Sequence, residues 1–118
     1  MAFVATADAT KARPFYEETL GLKVRDADAY GINFGADGNY LRMSFIRDFK
    51  AAPYSVLSWV AEDIYNMIAA LTARGVKFEH FEGMGQDEVG VWTAPNGTKV
   101  AWFKDPDQNM LSLTQFKV

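Results

Sequence analysis

The sequence predicts an α+β fold in which one unit, strand–helix–strand–strand–strand (βαβββ), is written twice. Three observations carry this expectation. First, residues 103–116 read as strand, turn and strand, and residues 36–45 repeat the pattern at a constant offset. Asp37 falls on Asp107, Asn39 on Asn109, Leu41 on Leu111, Met43 on Leu113, and Arg42 on Ser112. Second, two apolar stripes at helical spacing each end in glycine. Leu22-Lys23-Val24 follows Gly21 as Val76-Lys77-Phe78 follows Gly75. Third, the join between the halves, about residues 47–53, is too short to separate independent domains, and neither half alone can bury its sheet face. The chain is therefore expected to be a single domain over 1–118, with a first module over about 1–47 and a second over about 54–118.

Taken in order, Phe3-Val4-Ala5 is a short apolar strand. Asp8 and Thr10 are both candidate caps for the first helix. Its stripe is Ala12, Phe15, Tyr16, Thr19 and Leu20. The later start is favoured, because Pro14 then removes only the first intrahelical bond instead of kinking the helix. Gly21 suits the left-handed closing position. Strands are expected over 22–26, 30–34 and 40–46. After the proline-terminated link come a strand over 54–60 and a helix near 62–74 with the stripe Ile64, Met67, Ile68 and Leu71. A strand follows at 76–78, running on through the alternating Phe78–Glu82. The acidic, glycine-rich stretch 82–88 reads as a solvated, mobile loop and a candidate lid. Val91-Trp92-Thr93 is a short extra strand, Pro95-Asn96-Gly97-Thr98 a turn, and 98–103 and 110–116 the last two strands.

Period two assigns faces within the strands. Leu57, Trp59, Leu41, Met43, Leu111 and Leu113 should face the helices. Val56, Ser58, Arg42, Ser44, Ser112 and Thr114 should face the other way. A slip of one residue would exchange the two sets together.

Composition bounds the function. Half of the 118 residues are apolar and 23% are charged, with a net charge of −3. This is globular usage without a basic stripe, so no nucleic-acid partner is expected. No apolar run approaches the roughly 20 residues of a membrane span, and the start lacks the pattern of a signal peptide. The expectation is a cytoplasmic protein that does not engage membranes. There is no cysteine and a single histidine, His80, which excludes disulfide and thiol chemistry and most histidine-based metal sites.

The order of the units resembles the vicinal oxygen chelate superfamily of glyoxalases, bleomycin-resistance proteins and extradiol dioxygenases. The residues that carry the resemblance are Asp8, Phe15-Tyr16-Glu17 and Leu20-Gly21-Leu22; then Leu71 and Arg74-Gly75-Val76; then 101–107 (Ala-Trp-Phe-Lys-Asp-Pro-Asp) with Asn109 and Leu111. Gln108 departs from the glycine usual in that turn. The resemblance implies two modules side by side, their mixed sheet curved into a cup with the helices outside. It also implies a pairing of chains, and a homodimer is expected.

In metal-using members of such a family each module supplies one ligand from its first strand and one from its last, typically histidine and glutamate. The corresponding positions here are Met1 or Ala2, Val56, Arg42 and Ser112. None is a usual ligand for a divalent cation, so neither a metal nor another cofactor is expected.

The candidate ligand-binding residues are therefore the cup-facing Arg42, Ser44, Val56, Ser58, Trp92, Ser112 and Thr114. Arg42 is either a cation for an anionic or carbonyl ligand or a rim arginine paired with an acid. Trp92 is a pocket candidate, with Trp102, Tyr30 and Tyr54 also available for an aromatic wall, whereas Trp59 shares parity with Leu57 and belongs to the core. A lone strand histidine such as His80 is more often exposed than catalytic, and Ser58 and Ser112 have no histidine placed beside them by sequence. Three functions stay open: a metal-free protein that binds a small organic molecule in the cup, a metal-dependent lyase or dioxygenase, and a structural dimer whose cup is filled.

Overall fold

The computed structural model describes residues 1–36 and 38–117; Asp37, the expected counterpart of Asp107, lies outside them. Among the described residues the order is β1 (Ala2–Thr6), α1 (Ala9–Pro14), β2 (Val24–Asp28), β3 (Gly31–Ala36), β4 (Asn39–Phe45), β5 (Ser55–Val60), α2 (Ile64–Ala73), β6 (Trp92–Thr93), β7 (Lys99–Lys104) and β8 (Met110–Gln115). The fold is α+β, as expected. The strands form two four-stranded mixed sheets, β1-β4-β3-β2 and β5-β8-β7-β6, with the parallel pairs β1/β4 and β5/β8 in equivalent places. The edge strands β1 and β5 lie beside one another at the seam between the sheets.

The parity reading holds through both sheets. Leu41, Met43, Leu111 and Leu113 are buried in one continuous core, and Leu57 and Trp59 pack against it. Burying each such side chain contributes roughly 1.5–3 kcal/mol. Phe103 is fully buried, with the rings of Phe15, Trp59 and Phe78 centred 6.4, 6.3 and 5.4 Å away. Phe15 comes from the first half of the chain and the other two from the second, so this ring cluster joins the halves on the helix side.

The first helix starts earlier than favoured. Asp8, not Thr10, is the cap: its carboxylate accepts from the Thr10 N–H at 3.1 Å and from the Thr10 hydroxyl. Pro14 is therefore interior, and having no N–H it cannot continue the α-helical ladder. The chain responds by widening into a π-helical stretch over Phe15–Thr19, closed by the Leu20 N–H on the Phe15 carbonyl at 2.9 Å. This turns Tyr16 inward, where it is fully buried. The two closing glycines take the left-handed conformation, with φ of 75° at Gly21 and 95° at Gly75.

The strand expected over 76–82 is replaced by one isolated bridge, Phe78 to Phe103. The reason lies in the neighbouring loop. β7 is paired at one end by Phe78 and Glu79, whose N–H donates to the Trp102 carbonyl at 2.7 Å, and at the other by β6. Residues 80–91 leave the sheet between these two contacts. Gln86 supplies the missing partners: its carbonyl accepts from the Phe81 N–H at 2.6 Å, and its amide donates to the carbonyls of Glu79 and Gly90 at 2.9 and 2.7 Å. In the first sheet the equivalent place, between Val24 and Asp26, holds a one-residue bulge. The two halves therefore differ by an insertion at a bulge, a position where strands commonly re-aim side chains.

Candidate functional site

One face of each sheet carries the helices, and the other is free of them. Cross-strand register lines up Phe3, Arg42 and Asn33 on the open face of the first sheet. On the second it lines up Ser58, Ser112 and Trp102, followed by Val60, Thr114 and Val100, with Trp92 beside Val100. This open face is unusually apolar for exposed surface: Phe3 is 65% exposed and Val60 68%.

Two cavities touch the seam. The smaller, about 350 Å³, lies over β1, β4 and β5; its walls include Phe3, Ala5, Ser44 and Val56, and Phe49 and Lys50 of the link between the halves. The larger, about 620 Å³, lies where the β3–β4 hairpin meets β5, and Met1, Ala2 and Ser58 are among its walls. The seven candidates are thus divided. Ser44 and Val56 line the smaller cavity and Ser58 the larger, while Arg42, Trp92, Ser112 and Thr114 line neither.

Each of the latter four has found a partner. The Arg42 side chain, only 19% exposed, donates from Nη1 to Asn33 Oδ1 at 3.2 Å and from Nη2 to Asp28 Oδ1 at 3.2 Å. The Tyr30 N–H, then the Arg42 guanidinium, hold the Asp28 carboxyl below the usual aspartate range. Ser112 is buried and shares a hydrogen bond of 2.9 Å with Ser55, and Thr114 one of 2.8 Å with Ser58. Trp92 sits 6.3 Å from Trp102, whose other side meets the edge of Phe81 at 5.6 Å. The insertion loop thus extends an aromatic strip on the open face. Tyr30 and Tyr54 are exposed and line neither cavity, and His80 is exposed on the loop.

A divalent cation does not fit the four family positions. Ala2 pairs with Leu41 and Leu57 with Leu111, so Ala2 turns to the helix side and Met1 is the true counterpart of Val56. Met1 lines the larger cavity and Val56 the smaller, while Arg42 and Ser112 line neither. A thioether, a guanidinium, an alkyl group and a hydroxyl held by a serine offer no hard or borderline donor set. Among the described residues, no group of three or more histidine, aspartate or glutamate side chains is placed to hold a metal.

Sequence reasoning missed a buried polar cluster at the junction of the halves. The Tyr16 hydroxyl donates to Asp105 Oδ2 at 2.6 Å, and the Asn109 amide donates to the same oxygen at 2.8 Å and to the Ala5 carbonyl at 2.9 Å. The N–H groups of Asp107 and Asn109 both donate to Asp105 Oδ1 at 2.9 Å. Asp107 in turn accepts from the Thr6 hydroxyl and, at 2.9 Å, from the Ala7 N–H. The turn 105–109 thus clamps β1 and the π-helical stretch that follows α1. The spacing of Asp105, Asp107 and Asn109 signalled a turn but could not name partners a hundred residues away.

The glyoxalase/bleomycin resistance protein/dioxygenase superfamily model matches residues 1–113. The chain belongs to that superfamily. No curated protein matches the chain. Solved structures do. A superfamily member from Sphaerobacter thermophilus is 25% identical with a TM-score of 0.73, over 98% of this chain and 94% of that one. A glyoxalase family protein from Enterococcus faecalis is 22% identical with a TM-score of 0.75, over 97% and 93%. A lactoylglutathione lyase from Agrobacterium tumefaciens is 16% identical with a TM-score of 0.73, over 98% and 92%. At these identities the lower two speak for the fold alone. No helix among the described residues of this glyoxalase-superfamily chain is long and apolar enough to cross a membrane.

Proposed function

We propose that this glyoxalase-superfamily chain is a metal-independent binding protein that holds a small organic molecule on the open face of its sheets. The observation that carries the reading is the division of the four family ligand positions: Met1 and Val56 open into different cavities, and Arg42 and Ser112 into neither. The smaller cavity is the binding place. Its volume of about 350 Å³ lies within the roughly 300–1,000 Å³ of small-molecule sites. Phe3, Ala5 and Val56 offer apolar walls, and Ser44 and Lys50 offer polar ends. Arg42 is not a wall of this cavity; it is the cross-strand neighbour of Phe3 on the open face, with its guanidinium over β3. A guanidinium has five N–H donors, and its contacts with Asn33 and Asp28 leave some of them for an anionic or carbonyl oxygen.

Native mass spectrometry with metal analysis of protein purified without chelator tests this. The expected result is a retained organic molecule and no stoichiometric divalent metal, with retention weakened in the Arg42→Ala protein by about 1.5–3 kcal/mol, the range for a hydrogen bond to a charged group. A stoichiometric metal would instead favour the lyase or dioxygenase chemistry of the superfamily. The exposed Phe3 and Val60, beside two sheet edges at the seam, also support a homodimer. A monomer mass by light scattering at micromolar concentration would remove that part of the proposal.

A further inference from the structure

The larger cavity has a different character from the open face. It lies where β4 overhangs β1: Ala2 pairs with Leu41, and Asn39 and Tyr40 extend β4 beyond the start of β1. β5 does not close the space left by that overhang. Half of the wall residues are core residues, drawn from both halves of the chain. Leu22, Phe34 and Leu41 come from the first, Leu57 and Trp59 from the second, and all five belong to or pack against the hydrophobic core. Phe34 is fully buried, whereas Met1 and Asn39 on the same walls are exposed, so the cavity is a cleft that opens to solvent above the core.

The described walls carry no charged side chain, and the α-ammonium of Met1 belongs to a residue that is 71% exposed and so stays hydrated at the mouth. Ser58 supplies a hydroxyl at the rim; it shares a hydrogen bond with Thr114 and retains capacity for one more. A volume of about 620 Å³ is in the middle of the small-molecule range. A charged or phosphorylated ligand placed here would lose its hydration without a compensating partner. An apolar one would gain by removal of its surface from water.

We infer that the space between the two halves is a second binding site, separate from the open-face site, and that it takes a neutral, largely apolar molecule with one hydrogen-bonding end directed at Ser58. Such a molecule would touch both halves at once and brace the seam between them.

The uncharged fluorescent probe N-phenyl-1-naphthylamine tests the inference. The folded protein should bind it saturably at one equivalent. Ala2→Phe, which puts a ring into this cavity, should weaken binding at least about tenfold, whereas Val56→Phe, which fills the smaller cavity, should leave it within about twofold. In a Trp92→Phe, Trp102→Phe protein, Trp59 is the remaining tryptophan. Its emission should be quenched along the same titration, which reports the site even if the Ala2 variant folds poorly. Absence of saturable binding, unquenched Trp59, or sensitivity to Val56→Phe in place of Ala2→Phe would overturn the proposal. Retention of an organic molecule on the open face is read by native mass spectrometry and not by this probe, so the two readings fail separately.

Discussion

The Tyr16 hydroxyl donates to Asp105 across 89 residues of sequence, at 2.6 Å and out of contact with water. The contact joins the first helix to the last turn. Tyr16 lies in the π-helical stretch that follows Pro14. Burial, then the Asp105 charge, push the tyrosine hydroxyl far above its ordinary range, so Tyr16 acts as a donor throughout the pH range in which the protein is folded. Tyr16→Phe removes a buried hydrogen bond to an ionisable acceptor and should destabilise the fold by about 1.5–3 kcal/mol. Urea unfolding with an unchanged m-value measures this, and a loss under about 0.5 kcal/mol would show that the clamp does not depend on the hydroxyl.

Asp105 itself carries a pH signature. Burial pushes its carboxyl above the ordinary aspartate value of 3.8, against the downward pull of Tyr16, then of Asn109 and the Asp107 N–H. The folded state therefore holds this proton more tightly than the unfolded chain does. The contribution of this group to stability is fully present below the unfolded value and is lost as pH rises through the folded one. Carbon-13 NMR of the carboxyl should give a midpoint above 3.8. In Tyr16→Phe it should move higher still, because the leading downward pull is gone. A midpoint at or below the ordinary value in the wild type contradicts the burial argument.

The same turn holds a local strain. Among the described residues Gln108 is the non-glycine residue with positive φ, at 69°, and it stands where the superfamily resemblance implies glycine. A side chain with a Cβ in this conformation costs roughly 1–2 kcal/mol, partly offset by the lower unfolded-state entropy of a non-glycine residue. Its N–H donates to the Asp105 carbonyl at 3.0 Å, and a backbone bond survives substitution. Gln108→Gly should therefore stabilise the protein by about 0.5–1 kcal/mol, read as a rise in melting temperature. A fall would mean that the Gln108 side chain contributes more than its backbone costs.

What the sequence could reveal follows from the range of each interaction. Face assignment depends on period two, so Leu41, Met43, Leu111 and Leu113 were legible as core. The two helices were legible from their stripes, and the closing glycines from their place after them. The cap was misjudged because a π-helical stretch tolerates Pro14, an accommodation that local spacing does not display. The partners of Arg42 required the register of three strands: Asn33 is opposite it on β3, and Asp28 is reached from the end of β2. The partner of Ser112 was hidden by a β5 irregularity between Ser55 and Leu57, which brings Ser55 within reach. The missing strand over 76–82 turned on one side chain, Gln86, whose three contacts are invisible to any pattern of hydrophobicity.

That dependence on Gln86 can be tested directly. Its amide substitutes for a strand partner, accepting once and donating twice within the loop 80–91. Asp87 adds a second anchor, accepting from the N–H groups of Val89 and Val91 and from the Tyr65 hydroxyl of α2. The expected lid is therefore tied at both ends of the insertion. Gln86→Ala should cost roughly 1–2 kcal/mol, less than three full bonds, because the freed groups lie near the surface and water can replace the side chain. Gln86→Glu is the sharper probe. It keeps the acceptor for the Phe81 N–H but removes both donors and sets a negative charge against the carbonyls of Glu79 and Gly90. It should be at least as destabilising as alanine despite its matching shape. In both variants amide exchange at Phe81 should quicken, and Trp102 emission should change as the Phe81 ring leaves its edge. Protection at Phe81 equal to wild type in both proteins would mean that Asp87 alone holds the loop.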